Sequence, residues 1–260
     1  MTGPLTDVRW DAIGAIVHRE WSVFRRVWAA PMFGSVVEPI VYLVAFGFGF
    51  GALVSTVAGL PYLDFMATGS AAISVLFTGM FPGLINGYFR RKENHLYDGL
   101  IAAPITVAEI VTGEAAWTGV RTTIVSVITL VVAGVLGVGL APTVVFVPVI
   151  GYVGGFAFHC LGAAFAARLR STHQFDFVIA GTLVPMFVVA GTFFPLDDAP
   201  VWLRYPALVN PLSHVTTLFR AAAFGIGTPL GLVVNVAVVL GFAAVTWVLA
   251  ARWLRAALID

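Results

Sequence analysis

Charge is scarce in this chain. Asp, Glu, Lys and Arg together make up 10% of its 260 residues, against roughly 25% in an ordinary soluble domain. Lysine is nearly absent: of the 14 basic residues only Lys92 is not arginine. That balance leaves a net charge of +1 and no basic footprint for nucleic acid. A single cysteine, Cys160, excludes an intramolecular disulfide framework and a multi-cysteine metal site. No GxxxxGK[ST] stretch is present to cradle nucleotide phosphates, no GxSxG elbow to present a nucleophile, and no HExxH to bind zinc. The first thirty residues mix charge with apolar residues, so no cleavable signal peptide is expected. What the chain does have is apolar residues, 60% of the total, and a mean hydropathy of +0.97. Too little polar surface remains to clothe a water-exposed globule, and a polytopic membrane protein is the class left.

Trp10 to Trp28 carries Ile13, Ile16, Val17, Trp21, Phe24, Val27 and Trp28 at helical steps, with Arg19, Glu20, Arg25 and Arg26 mostly on the other side. Apolar aromatics opposite arginines are what a helix in the headgroup plane requires, so 9–30 is expected to be an amphipathic interface helix, with Trp21, Phe24, Arg25 and Arg26 as its contact residues. The plainer alternative is that it packs on the first span. Apolar runs follow at 36–58, 65–88, 117–140, 143–167, 176–194 and 230–251. Crossing about 30 Å of hydrocarbon takes ~20 helical residues, and the fifth run is the shortest. The expected fold is therefore all-α and integral to the membrane, a single domain over 1–260 with six transmembrane helices. Pro82, Pro148 and Pro185 read as kinks. A cytoplasmic N-terminus puts twelve of the basic residues inside and only Arg204 and Arg220 outside, which places both termini in the cytoplasm and requires an even number of spans. The loop 195–229 is then extracellular, with two short interfacial helices around Asn210-Pro211.

Candidate chemistry is thin. His159 and Cys160 are neighbours on one helix and point about 100° apart, a poor pair for one metal. Glu38, Glu109 and Glu114 lie near span ends, and Arg121 is too far from Glu114 for a direct pair, so it snorkels or meets another helix. No acidic residue sits near a midplane, where an ion-coupled transporter would want one. Clustered carboxylates or histidines, as in a membrane-embedded lipid-processing enzyme, are also missing. The most informative stretch is the loop 90–114. Its Leu96, Tyr97, Leu100 and Ile101 share one face of a short helix that Pro104 ends. Too short to be stable alone, such a helix with an apolar knob suits docking into a groove on another protein; an ordinary loop folded on the membrane is the alternative.

This stretch resembles a known family. Tyr97-Asp98-Gly99-Leu100-Ile101-Ala102-Ala103-Pro104-Ile105-Thr106, then Glu109 and Gly113-Glu114, is similar to the "LxxLLxTPLS" loop, acidic residue and "GE" element of type-2 ABC-transporter permeases. Asn210-Pro211-Leu212 through Arg220 resembles that family's "NPLxxxxxxxR" signature. The likeness spans essentially the whole chain and is nearest to permeases of nodulation lipo-oligosaccharide and daunorubicin-type drug exporters. It departs at Ala67-Thr68-Gly69, where many members read "PG". The resemblance implies a permease of the bacterial cytoplasmic (inner) membrane that exports an amphipathic or apolar cargo. Two ABC ATPase subunits would bind beneath it, and a second permease, identical or related, would complete the pathway. It implies no cofactor in this chain, with ATP and Mg bound by the ATPase, and a coupling role for Leu96, Tyr97, Leu100, Ile101, Pro104, Glu109 and Glu114. Phe46, Phe50, Phe77, Phe81, Phe187 and Phe193 are the expected lining of an apolar cargo path; packing is the alternative. Close contacts at Gly47/Gly51, Gly83/Gly87 and Gly151/Gly155 are permitted by their spacing but expected by chance in a chain with 27 glycines.

Overall fold

The computed structural model describes residues 8–103, 105–196 and 199–259. Pro104 and the side chain of Ile101 lie outside the described part. The chain is almost wholly helical. Helix α1 (Trp10–Val27) passes through Trp28 into α2 (Ala29–Gly49), and a short hairpin, β1 (Thr56–Val57) with β2 (Leu60–Pro61), leads into α3 (Tyr62–Phe81). Helix α3 continues through a π turn at Pro82–Asn86 into α4 (Gly87–Lys92). Next come α5 (Leu96–Ala102), α6 (Val107–Val135) and, after a 3-10 turn at Pro142–Phe146, α7 (Val147–Arg168). A segmented run follows: a 3-10 turn Thr172–Gln174, α8 (Phe175–Val178), a π turn Ile179–Leu183 and α9 (Val184–Val188). Helices α10 (Val201–Val209), α11 (Pro211–Phe224) and α12 (Pro229–Ile259) complete the order.

Among the described residues, five helical stretches are long and apolar enough to cross a membrane: Ala29–Gly49, Tyr62–Lys92, Val107–Val135, Pro142–Arg168 and Pro229–Leu258. The fifth apolar run, 176–194, is helical as far as Val188, in α and π segments that continue from the 3-10 turn at Thr172–Gln174, and falls just short of that length. Pro185 has no N–H to return to the preceding turn, the backbone opens into the π register just before it, and turns begin at Val189, with Gly191 at φ +67. The expected third span also changes. Helix α6 begins at Val107, ten residues before 117, because Thr106 and Glu109 form a reciprocal capping box. The last eight residues of the expected loop 90–114 are thus helical.

Helix α7 is the centre of the bundle and packs against α3, α6 and α12. Its small residues set the spacing. A methyl group added at Gly83 would come within 2.2 Å of the His159 carbonyl oxygen, and one at Gly155 within 1.8 Å of Thr122 Oγ1. Polar links cross the same seams: Thr122 Oγ1 donates to the Gly151 carbonyl (2.9 Å), Thr246 Oγ1 to that of Ala157 (3.2 Å), and Trp247 Nε1 to Thr112 Oγ1 (2.8 Å). Between apolar helices in lipid, such bonds contribute about 0.6 kcal/mol each, so close packing carries most of the association. Helix α3 is buried nearly throughout, whereas α2 buries only Pro39, Leu43 and Gly47, one stripe at i, i+4 and i+8.

Candidate functional site

The polar residues of this apolar bundle gather where α1, α4, α5 and α6 meet. Arg90, at the end of the second long helical stretch, donates from Nη1 to Glu114 Oε1 (2.6 Å) on α6 and from Nη2 to Glu20 Oε2 (2.8 Å) on α1. Arg19 reaches Glu114 Oε1 (3.3 Å) and also pairs with Glu20. Tyr97 of α5 donates its hydroxyl to Glu114 Oε2 (2.8 Å). Four helices are joined through two carboxylates, both nearly buried. Burial works against the Glu20 carboxylate, yet the guanidiniums of Arg90 and Arg19 outweigh it and hold the group below the usual carboxylate range. Burial, reinforced by the neighbouring Glu114 charge, pushes the Tyr97 phenol well up, so it stays a neutral donor.

This arrangement changes the expected role of α5. Tyr97 does not belong to an outward knob: it is 2% exposed and inserted among Ile16, Ile110 and Cys160 of the second core cluster. Leu96 and Leu100 are half-buried, Leu100 against the same cluster, and among the described side-chain positions of α5 Gly99 and Ala102 are exposed. The reason is the partner waiting inside: a phenol that can reach a buried carboxylate while filling apolar space gains more inward than in water. Glu109 is also structural. Fully buried, it closes the α6 cap with Thr106 and accepts from the Arg9 backbone N–H (2.8 Å) and Arg9 Nε (3.2 Å).

Helix α1 packs along the first part of α6. Arg9 meets Glu109, Ile16 lies over Gly113, and Phe24 packs on Trp117 (5.3 Å between ring centroids), so α1 and α6 advance together in the same sense. Trp21 packs edge-on against Trp117 (5.7 Å), while Arg25 and Arg26 are exposed. Arg121 makes no bond to Glu114 among the described residues and lies 5.7 Å from the Phe24 ring.

The six phenylalanines named from the sequence fall into one connected series. Phe81 stacks on Phe77 (5.6 Å), Phe77 contacts Phe187 (5.6 Å), Phe187 contacts Phe193 (5.1 Å), Phe193 contacts Phe46 (5.1 Å), and Phe46 stacks on Phe50 (5.6 Å). Phe46, Phe50, Phe187 and Phe193, with Tyr42 and Tyr62, line an apolar cavity of about 670 Å³ between α2 and the segment after α9. Tyr42 and Tyr62 were not singled out by sequence; their ring spacing along α2 and α3 became meaningful only once the segments met.

The motif Asn210 to Arg220 also acquires a physical task. Rather than lying at the surface, α11 is buried over most of its length, while α10 is largely exposed. Asn210 caps α11 by accepting from Leu212 N–H (3.0 Å) and donates from Nδ2 to the Met186 carbonyl (2.7 Å). Ser213 donates to the Val189 carbonyl (3.2 Å) and Arg220 to that of Gly191 (2.6 Å), with the Arg220 guanidinium 3.8 Å from the Phe65 ring centroid. Helix α11 thereby satisfies the carbonyls released where the fifth apolar run loses its helix. Irregular backbone inside a bundle needs this protection. Leu212 is fully buried beneath it. Among the described residues no cluster of His, Cys, Asp and Glu could hold a metal ion; His159 is bonded to Thr118 (2.8 Å) and Cys160 is packed.

Comparison with known proteins agrees with this architecture. The family model for the ABC-2 type transporter matches residues 11–224. The chain is 29% identical over 214 residues to nodulation protein J of Sinorhizobium fredii, covering 82% of this chain and 81% of that protein. It is 28% identical over 212 residues to nodulation protein J of Rhizobium leguminosarum bv. viciae, covering 81% and 82%. It is 24% identical over 253 residues to the inner membrane transport permease YadH of Escherichia coli, covering 94% of this chain and 96% of that one.

Proposed function

Because the chain belongs to the ABC-2 type transporter family, we propose that it is the membrane permease subunit of an ATP-driven exporter, with both termini in the cytoplasm of a bacterial cell. Its cargo is an amphipathic or apolar molecule, a drug, a lipid or a lipid-linked saccharide, leaving the cytoplasm or the inner leaflet. The observation that carries the proposal is the fastening of α5. A seven-residue helix at the end of the bundle is tied by Tyr97 and Glu114 to α6, and through Arg90 and Glu20 to α4 and α1. A push on α5 therefore reaches three other helices without passing through a flexible loop.

An ABC ATPase docks on the outward side of α5, around Gly99 and Ala102 with the outer edges of Leu96 and Leu100. Two ATPase copies bind ATP and Mg, and two permeases, identical or related, flank the pathway. Closure of the ATPase pair moves α5, and the ion cluster passes that displacement to the long helices, shifting the population between a sealed pathway and one that admits cargo. The half-exposed phenylalanine series offers cargo an apolar, uncharged surface, which fits a greasy molecule and leaves a strongly ionic one without a partner.

Affinity purification of the tagged full-length chain from its own host membranes tests the assignment. An ABC ATPase subunit is expected to be retained. Ala102→Glu and Leu100→Asp each abolish the stimulation of that ATPase while leaving membrane insertion intact. Wild-type stimulation in both variants, or ATP-independent uphill transport by the isolated chain in vesicles, overturns the proposal.

A further inference from the structure

Arg121 is close enough to Glu20 to feel its charge, yet it is not one of the residues paired in the ion cluster. It lies seven residues beyond Glu114, about 10.5 Å further along α6 toward the bilayer interior. Its guanidinium forms no hydrogen bond or ion pair among the described residues, and its Nε is buried without a partner. The acids nearest along α1 and α6, Glu20 and Glu114, are both held by Arg19 and Arg90. A cation at this depth needs an anion or water, because leaving it uncompensated in a low-dielectric layer is costly.

The surroundings identify the anion. Phe24 faces the guanidinium at 5.7 Å, and Trp21 and Trp117 continue the aromatic wall at 5.7 Å from each other. Val120 and Ile124, beside Arg121 on α6, are exposed large apolar residues, so the flank of the guanidinium is a surface suited to hydrocarbon. Arg25 and Arg26, next to Phe24 in sequence, are exposed and add positive potential at the rim. A free inorganic ion has no use for the apolar flank; a molecule with a phosphate and acyl chains uses both. Basic notches between helices near a membrane surface are suited to such headgroups.

We propose that Arg121, with the Phe24 ring and the apolar face at Val120 and Ile124, forms a site for the phosphodiester of an anionic membrane lipid, seated in the notch between α1 and α6. The lipid phosphate completes the hydrogen bonding of the guanidinium, and its chains run along α6. This inference rests on membrane placement alone and is independent of cargo or ATPase. By bridging α1 to α6 beyond the ion cluster, the lipid makes the attachment of α1 sensitive to bilayer composition.

The test uses the full-length chain in vesicles or nanodiscs of phosphatidylcholine with or without phosphatidylglycerol. Retained lipid is read by native mass spectrometry and thermal unfolding by fluorescence. The wild-type chain is expected to retain phosphatidylglycerol several-fold more tightly than phosphatidylcholine, whose choline cation meets the positive potential of Arg121, Arg25 and Arg26, and to gain thermal stability from it. Arg121→Gln loses both effects, while Arg252→Gln, an exposed arginine on α12, keeps them. If Arg121→Gln does not accumulate, Arg121→Lys and Phe24→Leu carry the test, each with a reduced preference. An unchanged preference in the folded variants refutes the site. Displacement of the lipid by millimolar inorganic phosphate, or altered permease self-association with lipid retention unchanged, also refutes it.

Discussion

Tyr97→Phe isolates the tie between α5 and the bundle. The substitution keeps the ring that fills the pocket near Ile16 and Ile110 and deletes only the hydroxyl, which donates to Glu114 Oε2 at 2.8 Å. A hydrogen bond to a charged group contributes about 1.5–3 kcal/mol, and here the loss also strands a carboxylate oxygen that is almost inaccessible to water. Helix α5 spans only seven residues and has little stability of its own. Nearly all of the loss should therefore appear as local opening rather than global unfolding. At 1.4 kcal/mol per decade, opening of α5 becomes roughly ten- to hundredfold more frequent. Hydrogen–deuterium exchange of the 96–102 amides in nanodiscs reads this directly, with the α3 and α6 amides as internal reference. Arg90 and Arg19 still hold Glu114, so those references stay protected. Unchanged exchange over 96–102 would refute the view that the phenol fastens this helix; a uniform rise across the bundle would show that the hydroxyl supports the whole fold instead.

The Glu20 carboxyl, held below its ordinary value of 4.5 by Arg90 and Arg19, contributes stability that is present above that value and lost as pH falls through the lower folded value. Exchange of the α1 amides should rise only below about pH 4.5, and Glu20→Gln should remove that acid dependence. Gly83→Ala should destabilise the bundle by about 1–3 kcal/mol, because the new methyl meets the His159 backbone at 2.2 Å; Gly241→Ala on α12, with open space around it, should be neutral in the same unfolding assay. Asn210→Ala removes an N-cap and the bond to the Met186 carbonyl, and should raise amide exchange at 186–191 by an amount reflecting about 1 kcal/mol for the cap alone.

Sequence reasoning went furthest where one residue's preference needed no knowledge of its neighbours. Apolar runs longer than a soluble core can use gave the membrane class and most of the long helices. It began the third span at 117, because Glu109 and Glu114 look out of place in a span, whereas helix α6 starts at Val107. Yet Thr106 and Glu109 spell a capping box, a local signal that could have moved the start back to 107. In the fifth run hydropathy is span-like, and the helix passes Pro185 after a π turn before it ends at Val188, where α11 satisfies the carbonyls at its end. Tyr97 was grouped with an outward apolar face because helical periodicity cannot tell inside from outside on a seven-residue helix whose partners come from three other segments.

Composition and local pattern alone determined that this polypeptide lives in a bilayer, is helical, has few ionisable groups to work with, and carries the loop and Asn-Pro-Leu elements of one transporter family. Those properties depend on transfer of side chains from water and on neighbours a few residues apart. Tertiary structure decided which charges meet, so that Glu20, Arg90, Glu114 and the Tyr97 hydroxyl join four helices while Arg121 makes no ion pair among the described residues. It also decided that six scattered phenylalanines form one connected surface, and that Asn210, Ser213 and Arg220 protect a broken helix. Such pairings join residues up to about a hundred and fifty positions apart, as Phe46 and Phe193 do. Their energies depend on burial and distance, quantities that exist only after the chain has folded.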